Sequence, residues 1–227
     1  MKTIVLLHSA TGAATDLLPL KHNLENDFNV HVFNFYKPSW PLFDAPFSIE
    51  NFAAGVLEFI SQLNVEKVNI IGHRMGGYIG LFLSINYPQI IESLVTIGTK
   101  LKWDERTAQI EQESIDLLIS DVESPQHKAL RQKYPDGMWN TIATKIRLLY
   151  NEVGRFAPLK FGDFEKVGIP VLLVLGDRDP RVSFVETSIV YKELVKGQFA
   201  VLPNTTQQIE IIDTAYLSMI IRSFLKG

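Results

Sequence analysis

The sequence predicts an α/β fold in which six strands form one doubly wound, mostly parallel sheet. Six short runs are apolar and rich in β-branched residues, and most are continuous rather than alternating, as expected for strands buried on both faces. Helical patterns separate most of these runs, and such an alternation is typical of a parallel, doubly wound sheet. The predicted strands are Thr3–Leu7, Val30–Tyr36, Lys67–Ile71, Ser93–Ile97, Pro170–Leu175 and Phe199–Leu202.

Five helices are predicted around this sheet. Asp16 is a suitable N-cap for the first helix and Ser48 for the second, because short polar side chains accept hydrogen bonds from the first turn. Pro88 ends the third helix, since proline cannot continue the hydrogen-bond pattern. The predicted helices are Leu17–Leu24, Ile49–Leu63, Tyr78–Tyr87, Val185–Val195 and Thr214–Leu225.

The segment between the fourth and fifth predicted strands has no strand pattern and is charged and helical. We therefore expect a core of residues 1–100 and 169–227 and a small helical cap inserted at 101–168. Such a cap would close over the carboxyl ends of the strands, where open α/β sheets bind ligands. Its apolar residues recur at helical spacing, at Ile110, Ile115, Leu118 and Ile119 and then at Trp139, Ile142, Ile146, Leu149 and Tyr150.

Composition limits the classes of partner and cofactor. A formal net charge of −3 over 227 residues argues against nucleic acid or an anionic membrane as the main partner. The chain has no cysteine, and no pair of histidines has metal-ligand spacing, so we expect no metal and no cofactor. The lack of cysteine also fits a cytoplasmic protein. The apolar run after Met1 ends at His8, too short for a signal peptide, and is better explained as the first buried strand. The oligomeric state stays open.

A Gly-x-X-x-Gly turn follows the third predicted strand and leads into the third helix. It reads Gly72-His73-Arg74-Met75-Gly76, and this arrangement is that of the nucleophile elbow, G-x-S-x-G, of serine hydrolases. The central position holds Arg74 instead of serine. A guanidinium cannot be deprotonated at usable pH, so it cannot act as a nucleophile.

Further motifs in the expected order resemble the α/β-hydrolase superfamily along nearly the whole chain. The segment from His8 to Gly12 is similar to the family's H-G-x-x-G oxyanion loop, with Ser9 in place of the first glycine. Asp179, after the fifth predicted strand, matches the triad acid, and Gln207, after the sixth, stands where the family has its catalytic histidine.

The resemblance implies an α/β-hydrolase fold with strand order 2-1-3-4-5-6 and a cap after the fourth strand. It also implies that the backbone N–H groups of Ala10 and Met75 are the oxyanion donors, with His8 and Ser9 beside them. A structural role for His8, which would hold the loop, and for Ser9, a small residue at a bend, is the alternative.

The predicted triad is therefore degenerate: Arg74, Asp179 and Gln207 replace serine, aspartate and histidine. In an intact triad histidine takes the serine proton and aspartate orients the imidazole, and glutamine is not a base near neutral pH. Arg74 has three explanations: natural loss of catalysis, an engineered knockout, or a site that uses another nucleophile. We expect Arg74 to pair with Asp179, with Asp177 as the second choice, because a buried guanidinium needs a partner.

The sequence favours a non-catalytic protein that binds a small ligand, with an anion favoured by Arg74 and the oxyanion donors. One alternative is an active hydrolase of esters or related bonds with an atypical site. A protein-interaction scaffold is the other. The aromatic segment from Phe33 to Pro41 could line the ligand pocket or pack beneath the cap.

Overall fold

The computed structural model describes residues 1–37, 44–134 and 138–227, and it contains one six-stranded sheet. The strand order is β2-β1-β3-β4-β5-β6, and every neighbouring pair is parallel. The predicted fold class and strand order are confirmed. The strands are β1 (Thr3–Leu7), β2 (Asn29–Phe33), β3 (Val68–His73), β4 (Ile91–Ile97), β5 (Val171–Gly176) and β6 (Gly197–Leu202).

The second strand ends three residues earlier than the sequence predicts. Its last pair in the ladder joins Leu7 to Phe33. Two residues later the N–H of Phe35 donates to the ring Nε2 of His8 at 3.1 Å instead of to a neighbouring strand. The chain leaves the sheet here because a side chain, not a strand, satisfies this backbone donor. Residues 38–43, which include part of the predicted aromatic segment, lie outside the described residues.

Eight α-helices accompany the sheet in the described part of the chain, and the five predicted core helices are among them. Ser48 is the N-cap of the second helix, as predicted, and accepts from the Asn51 N–H at 3.0 Å. Asp16 as an N-cap is wrong, because it lies inside a short 3-10 helix and accepts from the Ala13 N–H at 2.8 Å. The helices are α1 (Leu18–Leu24), α2 (Ile49–Ser61), α3 (Met75–Asn86), α4 (Glu105–Ser120), α5 (Pro125–Lys133), α6 (Met138–Arg155), α7 (Phe184–Glu193) and α8 (Thr214–Lys226).

Alternate residues of the central strands enter two separate hydrophobic clusters, as the period of two in a strand requires. Val5 and Leu7 of β1 face the cluster shared with α2 and α3. Ile4 and Leu6 face the cluster shared with α1 and α8. Both faces of the sheet are therefore covered by helices, which explains the continuous apolar strands.

Helices α4, α5 and α6 lie between β4 and β5, within the predicted cap. The predicted stripe of α6 is buried, and Trp139, Ile142 and Ile146 belong to the larger cluster. The prediction for α4 is wrong at Ile110, which is 44% exposed, while Glu111 is only 8% exposed. Glu111 lies four residues before buried Ile115 and so shares its face of the helix. The boundaries of the cap stay a prediction.

No helix among the described residues combines the length and the apolar character needed to cross a bilayer.

Candidate functional site

The turn between β3 and α3 has the strained backbone of a nucleophile elbow. Arg74 adopts φ 52° and ψ −112°, in a region that side-chain-bearing residues rarely occupy. The flanking glycines are required by close packing. A Cβ at Gly72 would lie 2.3 Å from the carbonyl carbon of Gly76, and a Cβ at Gly76 would lie 2.3 Å from the carbonyl oxygen of Leu7. The turn therefore keeps its shape although its central residue is not serine.

Backbone hydrogen bonds hold Arg74 in this conformation. Its N–H donates to the Ile97 carbonyl at the end of β4 at 2.9 Å. Its carbonyl accepts from the Thr99 hydroxyl at 3.0 Å and from the N–H groups of Gly77 and Tyr78 at 3.0 and 3.2 Å. The neighbouring strand and the first turn of α3 thus stabilise a backbone that is unfavourable by itself.

The side chain of Arg74 reaches Gln207, the residue at the predicted histidine position. Its Nη1 donates to the side-chain Oε1 of Gln207 at 2.7 Å. Its Nη2 lies 3.9 Å from Oε1 of Glu111 on α4. The expected pairing of Arg74 with Asp179 or Asp177 is wrong, because Gln207 is long enough to reach the guanidinium and Glu111 supplies the countercharge.

Asp179 instead stabilises the loop that follows it. Its Oδ1 accepts from the N–H groups of Arg181 at 2.8 Å and Val182 at 3.0 Å. Its Oδ2 is buried and has no hydrogen-bond partner among the described residues. Asp177 accepts from the N–H of Thr205 at 3.0 Å. Asp179, the predicted acid, is therefore used within its own loop, and no described histidine is hydrogen-bonded to it.

His8 is used inside the fold rather than in the cleft. Its Nε2 accepts from the Phe35 N–H, so Nδ1 carries the proton and donates to the carbonyl of Ser9 at 2.8 Å. Burial lowers its pKa to about 4. His8 is neutral at pH 7 and positions the loop, while Ser9 and Ala10 line the cleft.

His73 also lies beside Gln207 but is not a free base. Its Nε2 lies 3.0 Å from the backbone carbonyl of Gln207, which can only accept, so Nε2 carries the proton. Burial, followed by the nearby charge of Arg74, lowers the pKa of His73 to about 4. The imidazole is therefore neutral at pH 7.

Two cavities meet at Arg74. The outer one is a cleft of about 660 Å³, bounded by the His8 loop, the loop after β6 and helices α4 and α5. The inner one is apolar and has room for about 20 Å³, close to the volume needed by one water molecule. Arg74, Glu111 and Tyr150 line both cavities, Ala10 lines the outer one and Met75 the inner one. Each residue predicted to supply an oxyanion donor thus lines a cavity that Arg74 also lines.

Sequence reasoning missed the two charged residues that lie closest to the Arg74 side of this cleft, Glu111 and Arg181. Arg181 lines the outer cleft, and its Nη1 lies 3.9 Å from Oε1 of Glu111. The available signal for Glu111 was its spacing from Ile115 and Leu118 on the inner face of α4. Arg181 follows the predicted acid by two residues and had no signal of its own.

The elbow, the parallel sheet and the oxyanion loop together match one family. The sequence model of the alpha/beta hydrolase fold matches residues 2–153. The chain belongs to the α/β-hydrolase family. Among solved structures, the enol-lactonase from Burkholderia xenovorans LB400 is similar, with a TM-score of 0.76 and 16% identity over 100% of this chain and 92% of that chain. A thermophilic esterase from Thermogutta terrifontis has a TM-score of 0.74 and 14% identity over 100% of this chain and 90% of that chain.

Curated relatives in sequence also carry hydrolase names. "Putative carbamate hydrolase RutD" of Stutzerimonas stutzeri (strain A1501) is 34% identical over 98 residues, which is 42% of this chain and 37% of the relative. The protein of the same name from Serratia proteamaculans is 29% identical over 120 residues, covering 52% of this chain and 45% of the relative. These alignments span less than half of the relatives' own lengths.

The site of this α/β-hydrolase thus keeps the strained turn after β3 and a cleft that is open at the carboxyl ends of the strands. At its centre the guanidinium of Arg74 donates to the side-chain amide oxygen of Gln207. These groups donate and accept hydrogen bonds, and neither forms an acyl intermediate.

Proposed function

We propose that this chain is a non-catalytic α/β-hydrolase that uses its cleft to bind a small polar ligand. The observation that carries the proposal is the 2.7 Å hydrogen bond between Arg74 and Gln207. It joins the two positions between which a serine proton would move in an active enzyme. Binding needs only a cleft and suitable donors and acceptors, and both are present.

Among the residues that the structure describes, the cleft offers no other nucleophile paired with a histidine base. Ser9, Thr11, Ser114 and Ser124 line it. Within the described residues, none of these hydroxyl groups is hydrogen-bonded to a histidine ring, whereas nucleophilic catalysis needs such a pair at roughly 2.6–3.2 Å. The histidine that lines the cleft, His73, carries its proton on the nitrogen that faces Gln207.

The cleft is suited in size and polarity to a small molecule. Its volume of about 660 Å³ falls within the range of roughly 300–1,000 Å³ for small-molecule sites. Arg74 supplies a positive charge for an anionic group of the ligand, as the sequence predicts. The carbamate named in the relatives is likewise small and polar. A ligand rather than a protein partner is favoured because the site is concave.

Esterase assays with activated short-chain esters test the absence of catalysis. We expect no turnover above background by the wild type, because removal of a triad costs around 10⁶ in kcat in a well-studied protease. The double variant Arg74→Ser/Gln207→His should gain turnover and react with a fluorophosphonate probe, because Asp179 still stands at the acid position. The single variant Arg74→Ser is the matched control and should stay inactive.

Wild-type turnover together with probe labelling of a cleft serine would refute the proposal. That result would favour an active hydrolase with an atypical site. An inactive double variant that keeps the wild-type melting temperature would show instead that the frame around positions 74 and 207 no longer supports a triad.

A further inference from the structure

Three charged side chains form a cluster in the outer cleft without hydrogen-bonding to one another. Oε1 of Glu111 lies 3.9 Å from Nη2 of Arg74 and 3.9 Å from Nη1 of Arg181. Both distances exceed the 2.7–3.2 Å of an N–H···O hydrogen bond. The two guanidinium groups thus flank one carboxylate, and neither donates to it.

Each member of this cluster has unused hydrogen-bonding capacity. Glu111 is buried, and no described residue donates a hydrogen bond to its carboxylate. Each guanidinium has five N–H donors. Among the described residues, one side-chain nitrogen of Arg74 donates to Gln207. One side-chain nitrogen of Arg181 donates to the hydroxyl of Ser114. The side chain of Glu111 keeps 11% exposure and both arginines have spare N–H donors, so a ligand in the cleft can reach all three groups.

We propose that Arg74, Glu111 and Arg181 are the head-group site for a small α-amino acid. The ligand carboxylate accepts from the two guanidinium groups, and its ammonium donates to Glu111. Arginine binds carboxylates through paired N–H donors, and charge-assisted hydrogen bonds are the strong ones. This inference rests on the proposed binding function and names the ligand class for the same cleft.

The alternation of charges in the cluster, with a carboxylate between two guanidinium groups, favours a zwitterion over a simple anion. A carboxylate alone would bind beside Glu111 and be repelled by it, and an amine alone would be repelled by Arg74 and Arg181. Lys133 is already paired with Asp16 at 3.0 Å and with Glu210 at 2.8 Å. Among the described residues that line the cleft, the cations are Arg74, Lys133 and Arg181, and the carboxylates are Asp16, Glu111, Asp121 and Glu210.

The wall next to the cluster is apolar and belongs to the helical segment. Ile115 and Leu118 on α4 and Leu130 on α5 line the same cleft as the three charged residues. This wall fits an aliphatic side chain better than a polar one, since water is displaced from apolar surface on binding. L-Leucine is therefore a suitable probe.

Calorimetric titration with three matched compounds tests the proposal. L-Leucine has both charged groups, 4-methylpentanoate lacks the ammonium, and 3-methylbutylamine lacks the carboxylate. We expect the wild type to bind L-leucine at least about tenfold more tightly than either analogue, because each analogue leaves one side of the cluster unpaired. Glu111→Gln should weaken L-leucine about tenfold and strengthen 4-methylpentanoate, because the repelling charge is gone. Glu113→Gln, an exposed position on the same helix, is the control and should change neither affinity.

The opposite changes for the two ligands separate a binding role of Glu111 from a structural one, since a damaged fold would weaken both. Equal affinity of the wild type for L-leucine and 4-methylpentanoate would overturn the proposal. So would a Glu111→Gln variant that keeps the wild-type preference, or no binding of any of the three compounds at millimolar concentration. None of these results would bear on the proposed absence of catalysis, because the esterase assay tests that part of the proposed function separately.

Discussion

Substitutions of Asp179 distinguish the contacts in the structure from the pairing that the sequence suggests. If Asp179 were the partner of Arg74, Asp179→Asn would leave a buried guanidinium unpaired and would cost roughly 3–5 kcal/mol. In the structure its Oδ1 accepts two backbone N–H groups, and its Oδ2 is buried without a described partner. Asparagine keeps the accepting oxygen and removes the charge. We therefore expect the free energy of unfolding of the Asp179→Asn variant to stay within about 1 kcal/mol of the wild-type value.

Asp179→Ala is the matched comparison, because it removes the accepting oxygen as well. It leaves the N–H groups of Arg181 and Val182 without their acceptor, which should cost roughly 2–4 kcal/mol for two hydrogen bonds to a charged group at a partly exposed site. Urea denaturation of the three proteins at pH 7 measures both values. Equal destabilisation by the asparagine and alanine variants would refute the reasoning and restore a charge-pairing role for Asp179.

Three further predictions concern stability. Burial lowers the pKa of His8 and of His73 from 6.5 to about 4, so the unfolded chain binds protons that the folded chain does not. Urea denaturation at several pH values should therefore show the free energy of unfolding decreasing as the pH falls from 6.5 to 4, by about 1.4 kcal/mol per pH unit for each histidine. A free energy of unfolding that does not change over this pH range would contradict the prediction. Gly76→Ala should abolish folding or lower the free energy of unfolding by more than about 3 kcal/mol, because the new Cβ would lie 2.3 Å from the backbone of Leu7. Gly168→Ala is the control and should leave the melting temperature unchanged, because no atom lies within 4 Å of its new Cβ. Lys133→Gln should lower the free energy of unfolding by about 1 kcal/mol, because Lys133 loses its two carboxylate partners. This loss should be smaller in 1 M salt, and a loss that salt does not change would contradict the ion-pair explanation.

The sequence by itself determined the fold and the position of the Gly-x-X-x-Gly turn. Continuous apolar strands alternating with helices predict the parallel sheet, because burial on both faces leaves that pattern in the residues themselves. The glycines at positions 72 and 76 predict the elbow, since a Cβ at either position would lie 2.3 Å from neighbouring backbone atoms. The loss of nucleophilic chemistry at Arg74 also follows from residue identity alone.

Only the tertiary structure decided which groups Arg74 meets. Glu111 lies 37 positions along the chain and Gln207 a further 96, and both approach Arg74 because α4 and the loop after β6 pack over the same strand ends. A long, flexible guanidinium can reach several partners, so spacing along the chain does not choose among them. In the packed structure Arg74 contacts Gln207 and Glu111, and Asp179 accepts hydrogen bonds from its own loop.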